Sequence, residues 1–139
     1  MPVTYHDNEI FFGRKIMLVE RSYKSHSLRI EGIRVGKDIS VTVYGGQKPH
    51  IGGVAMSVMS PALHEPERLT CTEHMISVQG HKEADLARSV ATHLAKMFEC
   101  TATVSCGIHY VDATKEDITA VLALVNEMVD EFAQNIKDE

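Results

Sequence analysis

The residues best suited to chemistry in this 139-residue chain are its eight histidines. Imidazole changes charge near neutral pH and serves as proton donor, metal ligand or hydrogen-bond donor to an oxyanion. Their settings separate three of them. His50 lies in GGQKPHIGG, His81 in QGHKEAD and His109 in CGIHYVDAT, each beside or close to a glycine. Glycine allows a ligand to approach the backbone closely. The turns at His81 and His109 run into helix starts, where free N–H groups and the positive end of the helix dipole suit a phosphate. Lys82 and Thr114, in the first turns of those helices, add a charge and a hydroxyl, and Gly52 and Gly53 leave room beside His50. A ligand with a phosphate tail and a flat apolar ring would be served by such a set. Taken one at a time, the same Gly-His dipeptides are ordinary turn chemistry.

A competing reading makes His50, His81 and His109 the three ligands of a zinc ion with an open position. The close-spaced histidine pairs that usually mark such a site are absent, and these three stand about 30 residues apart. Of the other histidines, His93 falls on the flank of a helix and His64 in the loop SPALHEPERL. The three cysteines, Cys71, Cys100 and Cys106, have no CxxC spacing. They read as reduced thiols rather than a disulfide framework, and no neighbouring base marks any of them as a nucleophile. Met56, Met59, Met75, Met97 and Met128 read as core filling. No Walker loop, dinucleotide fingerprint, GxSxG elbow or HExxH is present.

The elements that must position these turns follow from hydrophobic period. Strands are expected over 15–22, 27–36 with a bulge or turn at Gly32, 38–46, 51–60 and 75–80. The 38–46 and 51–60 segments read as an antiparallel hairpin with GGQKPHIGG at its turn. Leu86, Ala87, Val90, Ala91, Leu94, Ala95 and Phe98 then recur at helical spacing over 82–99. A strand over 101–110 follows, and Thr114 with Asp117 approximates a capping box. The second helix carries Ile118, Val121, Leu122, Val125, Met128, Val129, Phe132 and Ile136 on one face. A run of strands followed by helices implies one α+β domain over 1–139. It is a two-layer sandwich whose mainly antiparallel sheet packs two helices on one face. The segments VTVYG and VAMSVMS look too apolar for a solvated face, so a second copy of the chain is expected to cover it.

The formal net charge is −5, with only a loose basic group at Arg14, Lys15, Arg21, Lys24, Arg29 and Arg34. This argues against a nucleic-acid surface. No apolar run is long enough to cross a bilayer. The segment MPVTYHDNEIFFGRK lacks the basic and apolar regions of a signal peptide, so a cytoplasmic protein is expected.

The segments GGQKPHIGGVAMS (45–57), QGHKEADLARSVATHLAK (79–96) and GIHYVDATKEDITAVLALVNEM (107–128) together resemble the LpdD-like proteins. These are partners of gallate-type decarboxylases described as prenylated-flavin chaperones. The resemblance covers roughly residues 38–130 and extends, more distantly, to a proteasome-assembly-chaperone type of fold. It implies a non-catalytic helper that binds prenylated FMN, assists its maturation and passes it to a UbiD-type decarboxylase. Carried over to this sequence, the flavin-binding candidates are His50, Gly52, Gly53, His81, Lys82, His109 and Thr114. A histidine-ligated metalloprotein or small enzyme, and an assembly factor with no small-molecule ligand, are the alternatives. The expected self-association is open to a direct check. Light scattering should return at least twice the 15.4 kDa chain mass, and a monomer mass would contradict a covered sheet face.

Overall fold

The structure, a computed structural model, describes residues 15–78 and 83–139. The described residues form β1 (Met17–Tyr23), β2 (His26–Val35), β3 (Asp38–Gly46), β4 (Gly53–Pro61), β5 (Leu69–Ser77), α1 (Ala84–Phe98), β6 (Thr101–His109) and α2 (Lys115–Lys137). The strands make one sheet in the order β1-β2-β3-β6-β4-β5. Every neighbouring pair is antiparallel except β3 with β6. Both helices pack on one face, α1 over β4, β5 and β6 and α2 over β1 and β2. The expected two-layer α+β architecture is therefore present.

The hairpin expected between 38–46 and 51–60 is not. β6 lies between them, parallel to β3 and antiparallel to β4. Alternation and turn glycines report that two segments are strands, but which strand lies beside which is decided by burial across the whole sheet. β6 places Ala102, Val104 and Cys106 in the core and belongs at the centre of the sheet. The chain between β3 and β4 must then pass over the end of β6. Gln47 donates its backbone N–H to the His109 carbonyl (2.8 Å), and Gly52 donates to Cys106 (2.8 Å). β5 also begins earlier than expected, at Leu69, which shortens the preceding loop.

Nor does Gly32 form a bulge. It pairs in register with Met17 on one side and Val41 on the other. The alternation continues through it, with Leu28, Ile30 and Gly32 facing the helices and Ile33 and Val35 on the opposite side. Glycine is required there for space. A Cβ would stand 2.6 Å from Cζ of Phe132, the largest of the fully buried side chains.

The core joins these sheet residues to the expected helix faces. Ala87, Val90, Ala91, Leu94 and Ala95 of α1 are buried, as are Val125, Met128, Val129, Phe132 and Ile136 of α2. Ile118 and Leu122 depart from the expected pattern, remaining 53% and 41% exposed. Of the methionines read as core filling, Met128 is buried and Met59 packs partly against the core, whereas Met56, Met75 and Met97 are exposed. An exposed unbranched side chain follows the period of its element, and Met56 falls on the outward side of β4.

The sheet face away from the helices is divided. On β3 the apolar residues all turn inward, leaving Ser40, Thr42 and Tyr44 outward. Next to them lies an ion-pair cluster in which Arg29 bonds Glu20 and Tyr44 donates to Glu31 (2.6 Å). On β4 the outward residues include Val54, Met56 and Val58, and opposite them on β5 stand Ile76, 71% exposed, His74 and Thr72. The apolar character expected of this face is concentrated on β4 and Ile76, with Ile33 and Val35 of β2 apart from it. Three of the scattered basic residues are held internally: Arg21 by Glu131 of α2, Lys24 by Asp117 and Arg29 by Glu20.

The Gly32–Phe132 contact generates a coupling prediction. Phe132→Ala should cost about 3–5 kcal/mol by cavity formation, and Gly32→Ala about 1–3 kcal/mol by overpacking. Because the added methyl enters space that the ring vacates, the double variant should lose less than the sum. Urea unfolding of the three variants checks this, and strict additivity would show that the contact is not the constraint.

Candidate functional site

The two helices sit over different halves of the sheet, and a cleft of about 690 Å³ opens between them above the end of β6. This is within the range of small-molecule pockets, about 300–1,000 Å³. Its apolar walls are Leu86 from α1, Ile108 from β6, and Ile118, Val121 and Leu122 from α2. The exposure of Ile118 and Leu122 is thereby explained, since they line the cleft rather than meet the sheet. Ser89, His109, Tyr110 and Asn126 add polar groups, and Glu83, Asp85 and Asp117 add carboxylates.

One end is bounded by Glu83 and Asp85 at the start of α1, with the 47–53 crossing packed behind Glu83. The His50 backbone lies directly over Gly107, where any Cβ would overlap the His50 carbonyl. Gly52 and Gly53 admit the first residues of α1: a Cβ on Gly52 would meet the Glu83 carboxylate at 2.5 Å, and one on Gly53 would meet the Ala84 backbone. With the chains this close, His50 Nδ1 lies 2.9 Å from the Lys48 carbonyl and Nε2 lies 2.7 Å from Glu83 Oε1. A carbonyl only accepts, so Nδ1 carries a proton and donates. The Nε2–Glu83 contact holds one further proton between ring and carboxylate. Glu83 stands at the N-terminus of α1, where the helix dipole favours a carboxylate.

The other end is an interlocked polar cluster. Asp117, 7% exposed, accepts from the Tyr23 hydroxyl (2.6 Å) and the Thr114 backbone N–H (3.0 Å), and pairs with Lys24 (2.8 Å). The Thr114 hydroxyl in turn accepts from the Asp117 N–H (3.0 Å), completing the expected capping box. The Tyr110 hydroxyl donates to the Tyr23 carbonyl (2.9 Å), and the two rings meet edge to face at 5.4 Å. Lys24, the Thr114 N–H and the Tyr23 hydroxyl hold the Asp117 carboxyl well below the usual carboxylate range. The cluster ties the β1–β2 turn to the start of α2 and holds that wall of the cleft.

Of the expected site residues, His109 lines the cleft, whereas His50, Gly52 and Gly53 pack behind Glu83 and Ala84 outside the cleft lining. Thr114 is exposed outside the cleft lining, with its hydroxyl in the cap. His81 and Lys82 lie outside the described residues. Among the described residues no cluster of three metal-ligating side chains forms, and both ring nitrogens of His50 are engaged. All three cysteines are unpaired, and burial pushes the Cys106 thiol up to about 12, leaving no thiolate at neutral pH. The sequence reading missed Glu83, Ser89, Tyr110 and Asn126 as cleft residues. Ser89 and Asn126 lie on helix flanks whose neighbour is set only by the packing. Glu83 looked like an ordinary acid in a first helical turn.

With this geometry in view, comparison with known proteins is informative. The family model described as the prenylated flavin chaperone LpdD-like domain matches residues 22–137. The chain belongs to this family. Protein LpdD of Lactiplantibacillus plantarum (strain ATCC BAA-793 / NCIMB 8826 / WCFS1) is 27% identical over 94 residues, 68% of this chain and 65% of that protein. The match thus spans just under two thirds of that relative. In a solved structure of a chaperone complex for yeast 20S proteasome assembly, one chain aligns with a TM-score of 0.50 at 14% identity. The alignment covers 86% of this chain and 98% of that one, a likeness of fold alone. The family description is that of a chaperone, a non-catalytic accessory role.

The charge of Asp117 has a pH signature. A carboxyl whose folded-state pKa is depressed contributes stability above its unfolded value of about 3.9, and loses it as pH falls through the folded-state value. Wild type should therefore be more stable than Asp117→Asn by a constant margin from neutral pH to about pH 5, and the margin should shrink in stronger acid. Chemical unfolding of both proteins across this range checks it, and a margin independent of pH would contradict it.

Proposed function

We propose that this chain is a carrier chaperone that binds prenylated FMN in the cleft between α1 and α2 and passes it to a UbiD-type decarboxylase of aromatic acids such as gallate. The observation that carries the reading is the cleft itself: apolar walls from both helices around a space of about 690 Å³, bounded at one end by His109, Glu83 and the N-terminus of α1. Two of its three carboxylates are compensated locally, Glu83 by His50 and Asp117 by Lys24. That arrangement limits repulsion of an anionic ligand. Leu86, Val121 and Leu122 would hold the ring, and His109 with the free N–H groups opening α1 would meet the phosphate. His81 and Lys82, next in sequence to Glu83, are proposed to add donors there.

A carrier role is supported by the chemistry of the side chains. The buried Cys106 thiol is not a nucleophile at neutral pH, and the His50–Glu83 pair is engaged in fastening the crossing segment to α1. Prenylated FMN supplies the decarboxylation chemistry when bound in the partner enzyme, and this chain binds and orients it. The apolar strip of the outer sheet face supports association with a second copy. Three free cysteines fit a reducing compartment such as the cytoplasm. No helix of the described residues is long and apolar enough to cross a membrane.

Mixing the protein with prenylated FMN should give co-elution on gel filtration and a changed visible spectrum, with half-saturation at or below the order of 10 µM. Absence of binding at that concentration would overturn the reading.

A further inference from the structure

The cleft does not end at its apolar walls. Beyond them a smaller recess of about 190 Å³ continues between the helices, bounded by Val90 and His93 of α1 and Val129 and Asp130 of α2. Ser89 of α1 and Asn126 of α2 line both spaces and stand at the waist where they meet. Three other polar groups of the cleft are engaged, Glu83 by His50, Asp117 by Tyr23 and Lys24, and the Tyr110 hydroxyl by the Tyr23 carbonyl, while Asp85 and His109 stand at the α1 N-terminal end. Ser89 and Asn126 are exposed, and neither makes a side-chain hydrogen bond to another described residue.

The geometry points to Ser89 and Asn126 as the pair that reads the hydrogen-bonding edge of the ring bound in the cleft, selecting a heterocycle that carries an imide. This inference rests on the flavin reading above and deepens it. A ring between Leu86 and Leu122 meets the waist edge-on, because Ser89 follows Leu86 by three residues and Asn126 follows Leu122 by four on their helices. A carboxamide offers a donor and an acceptor side by side, and a serine hydroxyl offers either. The pyrimidinedione edge of a flavin presents a carbonyl, an N–H and a second carbonyl in a row. Asn126 takes the N–H and one carbonyl as a two-point contact, and Ser89 donates to the remaining carbonyl. An apolar ring of equal size would leave both side chains unmatched, so the waist discriminates among flat ligands that the walls alone would accept.

The probes that test this are FMN and its N3-methyl analogue, titrated into the full chain by flavin fluorescence. Wild type should bind FMN about tenfold more tightly than the analogue, the scale expected when a hydrogen-bond pair is lost. Asn126→Ala and the double variant Ser89→Ala/Asn126→Ala should bind the two ligands equally, at the weaker affinity. Both positions are exposed and alanine is the better helix former, so circular dichroism and the thermal midpoint should stay unchanged. Equal affinity of wild type for the two flavins, or a preference kept in both variants, would overturn the assignment while flavin binding stands. Failure of wild type to bind either probe while prenylated FMN still binds would also overturn the assignment, and failure to bind prenylated FMN as well would remove the flavin reading and this inference with it.

Discussion

β6 lies between two strands that are consecutive in sequence, and the chain joining those strands has to pass over its end. That crossing is possible only because residue 107 is a glycine, since a Cβ there would occupy the place of the His50 carbonyl. Much of the cleft's histidine end depends on this approach. It fixes the His50 backbone, sets its ring between the Lys48 carbonyl and the Glu83 carboxylate, and binds the crossing segment to the start of α1. Gly52 and Gly53 extend the same close packing to Glu83 and Ala84. Glycines that look like ordinary turn residues are here the surface against which a helix begins.

The cleft exists because the helices are anchored separately. α1 is alanine-rich on its inner face and settles over β4, β5 and β6, with the buried Ser57 hydroxyl bonded to Thr92 at 2.8 Å. α2 is held over β1 and β2 by the Phe132–Gly32 contact and by the Tyr23–Lys24–Asp117–Thr114 cluster at its start. Each helix is longer than the part of its apolar face that the sheet covers. Ile118 and Leu122 therefore remain available as cleft walls. A carrier benefits from such a site, since a ligand held between two separately anchored helices needs no opening of the core to enter or leave.

Charge in the cleft follows the same logic. Three carboxylates would disfavour an anionic ligand, but His50 and Lys24 are drawn in from the crossing segment and from the β1–β2 turn to offset two of them. Membership of a prenylated-flavin chaperone family agrees with an apolar, locally neutralised cleft and with a Cys106 thiol too buried to ionise at neutral pH. The outer sheet face, with its ion-pair cluster near β2 and an apolar strip along β4 that reaches Ile76, offers a second surface on the opposite side of the molecule.

The sequence by itself determined the class of the fold, the strand and helix segments other than most of β5, the capping box at Thr114 and Asp117, and most of the inward faces of both helices. These are local properties: period, propensity and end signals are written within a few residues of the place they act. It also singled out the turns at His50 and His109, because histidine beside glycine is conspicuous wherever it stands. Only the tertiary structure decided that β6 separates β3 from β4, that Gly32 makes way for Phe132, and that His50 pairs with Glu83. It alone showed that Ile118, Leu122, Ser89 and Asn126 face a cleft. Each of these joins residues far apart in the chain, and a single sequence carries no mark of which distant surface will lie opposite. Period alone assigns Leu122 and Val125 to the same apolar stripe; the position of α1 across the sheet makes the first a wall of the site and leaves the second in the core.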